Sequence, residues 1–467
     1  MGFFARAVDC FSQRFISRRT AFCLLGVIGA GVLPSLLLRV FGGPNSLWLI
    51  ANMWRGEGGG DSWDAIRLAL THLDTLGTQN FYEDLYYKSG HQFIYSPLSL
   101  VFFRLTQFPP MIDWYSLEAM NRVSWYVMLG IIVVMTFTVM DSSRRFKPIG
   151  SVTALRPDAG MVVLAIIAVS SYFSITGGFR NGQIQTWLTF LAMFSLLLLI
   201  LQQHILCGVC IGLICIVKPQ MALMLVWAAL RRDWKMLSGG LVTAGLFGVV
   251  SVINYGWQIH FDYVSLVQFL SRRGESFVGN QSINGLLTRM FFLGPNVEFD
   301  STHRQMVYNV WVHAATIASS AALAAGAILI RSNRGSLAGI LDFCTALVSF
   351  TLASPVAYRH HFGLTVAVFW LVLLSLMYTG ERRVGPYLLL GVSYALFANS
   401  FAILNYFAET PFNFLQSDQV FGAFMLLGLL YWQRLGPARA VFGPRRERME
   451  MNEAARRDLA SSTPGPL

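Results

Sequence analysis

Long apolar runs recur through almost the whole chain, with basic residues set between them. A bilayer's hydrocarbon core is about 30 Å thick, and a helix needs about 20 mainly apolar residues to cross it. Lipid offers no partner to backbone N–H and C=O groups, so runs of this kind are confined to helices. The balance of residues agrees: 55% of the chain is hydrophobic and 13% charged, with a mean hydropathy of +0.53. Soluble domains carry about 25% charged residues. A membrane β-barrel would show short alternating segments instead. The expected fold class is all-α, a polytopic helical membrane protein.

The net charge of +11 would suit nucleic acid if it formed a patch, but it does not. Of the 35 Lys and Arg, 22 lie in the two tails or in four short connectors. That distribution is positive-inside bias, which sets orientation. It predicts a bilayer partner and no nucleic acid. Cys207 and Cys210 have C-x-x-C spacing but lie in an apolar run with no second ligand pair. They read as buried thiols, and no metal site is expected.

Residues 1–20 form a basic, inner N-terminus, followed by an uncleaved first span over 21–41. Residues 42–94 then form a first outer loop. The short apolar run 94–108 is placed in the interface, because a crossing there would put the basic 141–160 connector outside. Further spans are expected at 117–140, 160–176, 184–202, 236–254 and 305–330. The run 204–230 begins and ends inside and must turn back near Pro219, which breaks a helix. Residues 255–304 form a long outer loop. Two spans flank Ser354–His361, another follows Glu381–Arg383, and a last one precedes a basic inner tail, 435–467, expected to be disordered from about Gly443. The total is about twelve, with 21–434 as one transmembrane unit.

The polar stretch Glu57–Pro97 is the most patterned of the loops. Ile66, Ala69, Leu70, Leu73 and Leu76 recur at helical spacing, which predicts an amphipathic helix over 65–76 on the membrane surface. Asp61 precedes it and could cap it, or could be a chemical group; Asp64 and Glu57 compete for that second role. The aromatics Trp63, Phe81, Tyr82, Tyr86, Tyr87 and Phe93 read as an interfacial belt.

With this topology six polar groups share the outer side: Asp61, Gly178–Gln183, Val217–Gln220, Asn280–Asn284, Arg289 and Tyr358–His361. Charged groups at membrane depth are costly and suggest function. Arg180, Lys218, Arg289, Arg359, His360 and His361 against one carboxylate suit an anionic ligand, phosphate above all. The carboxylate suits a general base. Each residue also has a plain structural reading: Lys218 snorkelling, Asn280 and Gln281 capping a loop, and the two histidines satisfied by backbone. Adjacent helical residues point about 100° apart, so one histidine, His361 by preference, is expected to face the site.

These elements carry a resemblance. Phe93-Ile94-Tyr95-Ser96-Pro97-Leu98 closing an acidic first loop, Asn181-Gly182-Gln183 opening a span, Lys218-Pro219-Gln220, Asn280-Gln281-Ser282 before Arg289, and Ser354-Pro355 before His360-His361 resemble glycosyltransferase family 87 of the GT-C superfamily. The family includes polyprenyl-phosphomannose-dependent mannosyltransferases and related arabinofuranosyltransferases. The resemblance implies a GT-C-like helical fold with an outer-face cavity, in a cell inner (plasma) membrane. It implies an inverting transfer of one sugar, mannose by expectation, from a polyprenyl-phosphate donor to a glycolipid or glycan acceptor. No nucleotide donor, metal or cofactor is implied. Asp61 maps to the family's first-loop acid, although Ala65 stands where the family often has an aromatic. Asp61 and His361 would be catalytic, and Arg180, Gln183, Lys218, Gln220, Asn280, Gln281, Arg289, Arg359 and His360 would bind substrate. The alternatives are a lipid-linked glycan flippase or transporter, and a GT-C-like ligase using a lipid pyrophosphate.

Overall fold

The computed structural model describes residues 23, 25–38, 46–55, 58–88, 93–106, 114–145, 159–299, 306–331, 336–379 and 381–435. The basic tails, Glu57 and residues 146–158 of the inner connector lie outside them.

Helices dominate. In chain order they are α1 (Leu25–Leu38), α2 (Ser46–Arg55), α3 (Asp61–Thr75), α4 (Pro97–Thr106), α5 (Trp114–Arg145), α6 (Ala159–Ser170), α7 (Phe173–Arg180), α8 (Gln185–Ile200), α9 (His204–Val217) and α10 (Leu223–Leu230). There follow α11 (Trp234–Tyr255), α12 (Gln258–Arg272), α13 (Ile283–Phe291), α14 (Val310–Leu329), α15 (Ser336–Leu352), α16 (Thr365–Tyr378), α17 (Val384–Ala398) and α18 (Asp418–Leu435). The strands described are β1 (Gly274–Glu275) and β2 (Met306–Val307), an antiparallel pair. The protein is all-α.

Among the described residues, four helical segments are long and apolar enough to cross a membrane: Ala119–Met140, Trp234–Tyr255, Val310–Leu329 and Arg359–Tyr378. The pair α6 and α7, bent by 49°, makes a fifth if it is one span. Six shorter apolar helices accompany them, so length and composition alone do not reach the expected twelve. Arg359–Tyr378 is the central element, 94% buried, whereas Val310–Leu329 is 17% buried and peripheral. Helices α9 and α11 pack closely, because glycines line their contact. A Cβ on Gly208 would lie 2.0 Å from the Met236 carbonyl, and one on Gly239 would lie 2.3 Å from that of Ile205. Small residues permit such backbone contact in helix pairs of membrane proteins.

Several expectations change. The span expected at 160–176 is broken at Ser171–Tyr172, and its second half runs on to Arg180. The run 204–230 does break where expected, with Lys218 between α9 and a 3₁₀ turn over Pro219–Ala222. The 94–108 run holds only the ten-residue α4, about 15 Å long and too short to cross.

The amphipathic helix starts four residues earlier than predicted, at Asp61. Most of its apolar face meets protein: Ile66, Ala69 and Leu70 are buried and Leu73 half-buried, while Leu76 at its end is exposed. The loop aromatics are likewise core and not belt. Trp63, Phe81, Tyr82, Tyr86 and Phe93 are buried, with Phe81 edge-on to both Tyr82 and Phe93; Tyr87 alone of this group is exposed. The physical reason is local supply. The loop carries enough large apolar side chains to build its own packing layer on α4 and α12, and aromatic edge-to-face contacts add to area burial.

Candidate active site

Asp61 is placed by backbone, not by side-chain capping. Residue 60 is the N-cap and contributes no side chain, so Asp61 is already in the first helical turn. The preceding glycines lie along the turn after α7. Gly59 N–H donates to Arg180 C=O (2.5 Å), Asp61 N–H to Asn181 C=O (3.0 Å) and Ser62 N–H to Gly182 C=O (3.2 Å). This explains the Asn-Gly-Gln motif. Gly182 has φ +68°, and a Cβ there would fall 1.8 Å from the Gly59 carbonyl oxygen. Gln183 donates its amide to the Asp61 carboxylate and accepts from Ser62 Oγ at 2.9 Å. Ser62 in turn accepts from Ile184 N–H (3.1 Å) and shares a 2.8 Å hydrogen bond with the Tyr95 hydroxyl.

A cavity of about 1230 Å³, open mouth included, lies over this turn. Asp61, Arg180, Asn181 and Gln183 line one side of it, and Tyr358, Arg359 and His360 another. The Asp61 side chain is exposed to the cavity, yet the enclosing walls remove bulk water from around it. That desolvation, with the nearby Asp64 charge adding to it, raises the Asp61 pKa. Arg180 is exposed, stacks its guanidinium 4.7 Å over the Trp48 ring and stays open to the cavity.

The opposite wall is a 3₁₀ turn, Arg359–Leu364. Gly178 lets it approach, since a Cβ there would meet His360 Cβ at 3.0 Å. The two histidines divide between two cavities. His360 lines the one containing Asp61, and His361 lines a neighbouring pocket of about 400 Å³ with Gln185, Lys218, Gln220 and Ser354. Among the described residues, no acidic one lines that second pocket.

Arg359, expected as a free cation, is held by both oxygens of Asp418 at 2.6 and 2.8 Å. Its charge is therefore balanced within the protein. Asn280, Gln281 and Arg289, expected as substrate ligands, are fully buried behind the wall. Arg289 engages all three guanidinium nitrogens, with the carbonyls of Ser276, Phe277 and Asn280 and with Ser417 Oγ. Burial lowers its pKa to about 9. Gln281 donates to the Val278 and Gln416 carbonyls at 2.8 Å and accepts from Gln419 N–H at 3.0 Å. Asn280 Oδ1 accepts from Ser282 N–H and Ala357 N–H, and Ser282 Oγ donates to the Pro355 carbonyl at 2.7 Å. The Asn-Gln-Ser and Ser-Pro motifs thus clasp each other and hold the histidine turn.

Glu275 and Asp418 were not picked out from the sequence. Asp418 opens the last helix, and an acid at membrane depth facing a surplus of arginines is the signal that could have found it. Glu275 accepts from the Tyr358 hydroxyl at 2.9 Å, and burial raises its pKa to about 7 against the lowering effects of Tyr358 and Arg289. Nothing in its Gly-Glu-Ser surroundings marks it as buried.

The profile of glycosyltransferase family 87 matches residues 93–355, more than half the chain, and the chain belongs to that family. No curated protein and no solved structure matches. The family makes it a membrane glycosyltransferase.

Proposed function

We propose that this family 87 glycosyltransferase moves a single sugar, mannose by preference, from a polyprenyl-phosphate donor to a hydroxyl of a glycolipid or glycan, with inversion. The observation that carries the reading is the paired arrangement around His360 and His361: a carboxylate-bearing cavity on one side and an acid-free pocket holding Lys218 on the other. Residues 21–434 form the catalytic unit, with 42–94 and 255–304 as its outer loops. The shorter apolar helices complete about twelve crossings, and the cavity opens on the outer face of the inner membrane.

In this reading the donor's phosphate is held by Lys218 and His361, with Gln220 beside them, and its sugar reaches past the histidine turn towards Asp61. Arg180, His360 and Gln183 bound the sugar and acceptor. The acceptor oxygen attacks the anomeric carbon from the face opposite the phosphate. Its proton passes to Asp61, and the bond to the phosphate oxygen breaks with its electron pair on phosphate. Preorganised cations stabilise that growing charge, and removing one such partner typically costs a few kcal/mol of barrier. Gln183 orients the base through its amide. Asn280, Gln281 and Arg289 act by holding the histidine turn, not by touching substrate; Arg359 holds it through Asp418 while lining the cavity.

Incubating the protein with radiolabelled polyprenyl-phosphate mannose and a lipid acceptor fraction tests this. The expected result is labelled product of inverted anomeric configuration with release of free polyprenyl phosphate. Relocation of intact donor across the bilayer without product would overturn it in favour of a flippase. Indifference to the monophosphate with use of a lipid-pyrophosphate glycan would overturn it in favour of a ligase.

A further inference from the structure

A second carboxylate, Glu275, lies buried behind the histidine turn. It belongs to β1 and is 2% exposed. Its backbone is well held: the N–H donates to Asn284 Oδ1 at 3.2 Å, and β1 pairs it with Met306. Its carboxylate is not. Oε1 accepts one hydrogen bond, from the Tyr358 hydroxyl at 2.9 Å, and Oε2 is buried with no partner. Arg289 is close enough to act on it by charge, but gives its own hydrogen bonds to carbonyls and to Ser417. A buried acid with one hydrogen bond and no bonded cation destabilises a fold, and a neutral amide of the same shape would serve the packing better.

Its one side-chain partner touches both halves of the site. Tyr358 is the N-cap of the 3₁₀ turn and lines the Asp61 cavity. Its ring centre lies 5.7 Å from those of His360 and of His361, which line different cavities. Its carbonyl accepts from His361 N–H at 2.8 Å, and Arg359 N–H donates to the Gly279 carbonyl at 3.1 Å. Those bonds fix the backbone, whereas the bond to Glu275 fixes the far end of the ring. An ionised carboxylate only accepts, so it holds the hydroxyl hydrogen one way, and such charge-assisted bonds are roughly twice as strong as neutral ones. A protonated carboxyl, or a glutamine, can also donate and leaves the hydroxyl free to turn. Burial places the Glu275 pKa at about 7, with Tyr358 and Arg289 opposing the rise. Tyr86 of the first loop also feels its charge.

We propose that Glu275 is a positioning residue for sugar transfer: its ionised carboxylate, through the Tyr358 hydroxyl, fixes the ring against which both imidazoles pack and so aligns the Asp61 cavity with the Lys218 pocket. The proposal rests on the transfer reading above. It accounts for an acid kept where it weakens the fold. Glutamine at this position imitates the protonated acid in shape and in hydrogen bonding, so the proposal ties the effect of Glu275→Gln to pH.

The test uses the intact protein in nanodiscs, with labelled polyprenyl-phosphate mannose and a lipid acceptor fraction, at about pH 6 and about pH 8. Wild-type kcat should exceed that of Glu275→Gln about tenfold at the higher pH and by no more than about twofold at the lower, where the wild-type acid is mostly protonated. Donor KM should barely move, because Glu275 touches no substrate. Tyr358→Phe should show a similar loss at the higher pH, and Glu275→Gln/Tyr358→Phe no further loss, since both act through one contact. Amide exchange at His361, measured at the higher pH, should quicken by up to about tenfold in Glu275→Gln, with a melting temperature no lower than wild type. An equal kcat ratio at both pH values, additive losses in the double variant, or unchanged exchange at His361 would overturn the proposal and leave the transfer reading standing. If the wild type transfers no sugar from polyprenyl phosphate, the transfer reading falls and the proposal with it.

Discussion

Replacing Gly182 by alanine should detach the candidate carboxylate from its support. Two costs follow from the geometry. Alanine at φ +68° occupies the left-handed region, which costs an L-residue about 1–2 kcal/mol. The new Cβ would sit 1.8 Å from the Gly59 carbonyl, far inside the 3.4 Å at which ordinary contact begins, so the glycine strand must withdraw by more than an ångström. That withdrawal breaks the three hydrogen bonds from Gly59, Asp61 and Ser62 to residues 180–182, each worth about 1 kcal/mol net. The combined local penalty is about 4–5 kcal/mol, enough to open the turn without unfolding the helices. Amide exchange at Gly59, Asp61 and Ser62 should accelerate by about one to four thousandfold, since each 1.4 kcal/mol is a factor of ten. Transfer activity should fall at least about 100-fold, because a 1 Å misplacement of a catalytic group has that effect. Gly130→Ala is the control: a Cβ there meets nothing within 4 Å, and alanine favours its helix. Unchanged exchange at the three amides, or wild-type activity in Gly182→Ala, would refute the reasoning.

Asp61→Asn should stay folded, since the side chain caps no helix end, and should lose about 10²–10⁴-fold in transfer activity measured with labelled donor. The acid limb of the wild-type pH–rate profile should lie above the ordinary carboxylate range, because burial and then Asp64 raise the Asp61 pKa and a base works only when deprotonated. Asp64→Asn removes the second cause and should move that limb to lower pH. Glu275 has a folded pKa of about 7, above its unfolded value, so its contribution to stability is full below the unfolded pKa and is lost as pH rises to about 7. Glu275→Gln should therefore raise the melting temperature relative to wild type more at pH 8 than at pH 5; an equal shift at both would count against a buried, titrating Glu275. Asp418→Asn leaves the half-buried Arg359 without its counter-charge and should destabilise the protein, by up to about 3 kcal/mol, read by thermal melting in detergent, with Asp418→Asn/Arg359→Met recovering much of the loss.

The alternation of apolar runs and basic connectors was enough to determine an all-α membrane protein, because lipid permits few backbone solutions and the positive-inside bias is local information. Motif order was equally legible: Asn-Gly-Gln, Lys-Pro-Gln, Asn-Gln-Ser and Ser-Pro were found as linear signals, and the break at Lys218 follows from a proline that any helix must obey. What each motif does was decided in three dimensions. Gly182 is a glycine because a strand of chain more than 120 residues earlier passes against it. Arg289 and Arg359 look alike in sequence as outer-side cations, yet one is encased in carbonyls and the other paired to Asp418 from the last helix. The first-loop helix is amphipathic by spacing alone, but whether its apolar face meets lipid or protein depends on Phe81, Tyr82 and Phe93 folding back over it. His360 and His361 are neighbours in the chain and line different cavities, because a 3₁₀ turn points successive side chains about 120° apart. Periodicity fixes which residues share a face; only packing fixes what that face meets.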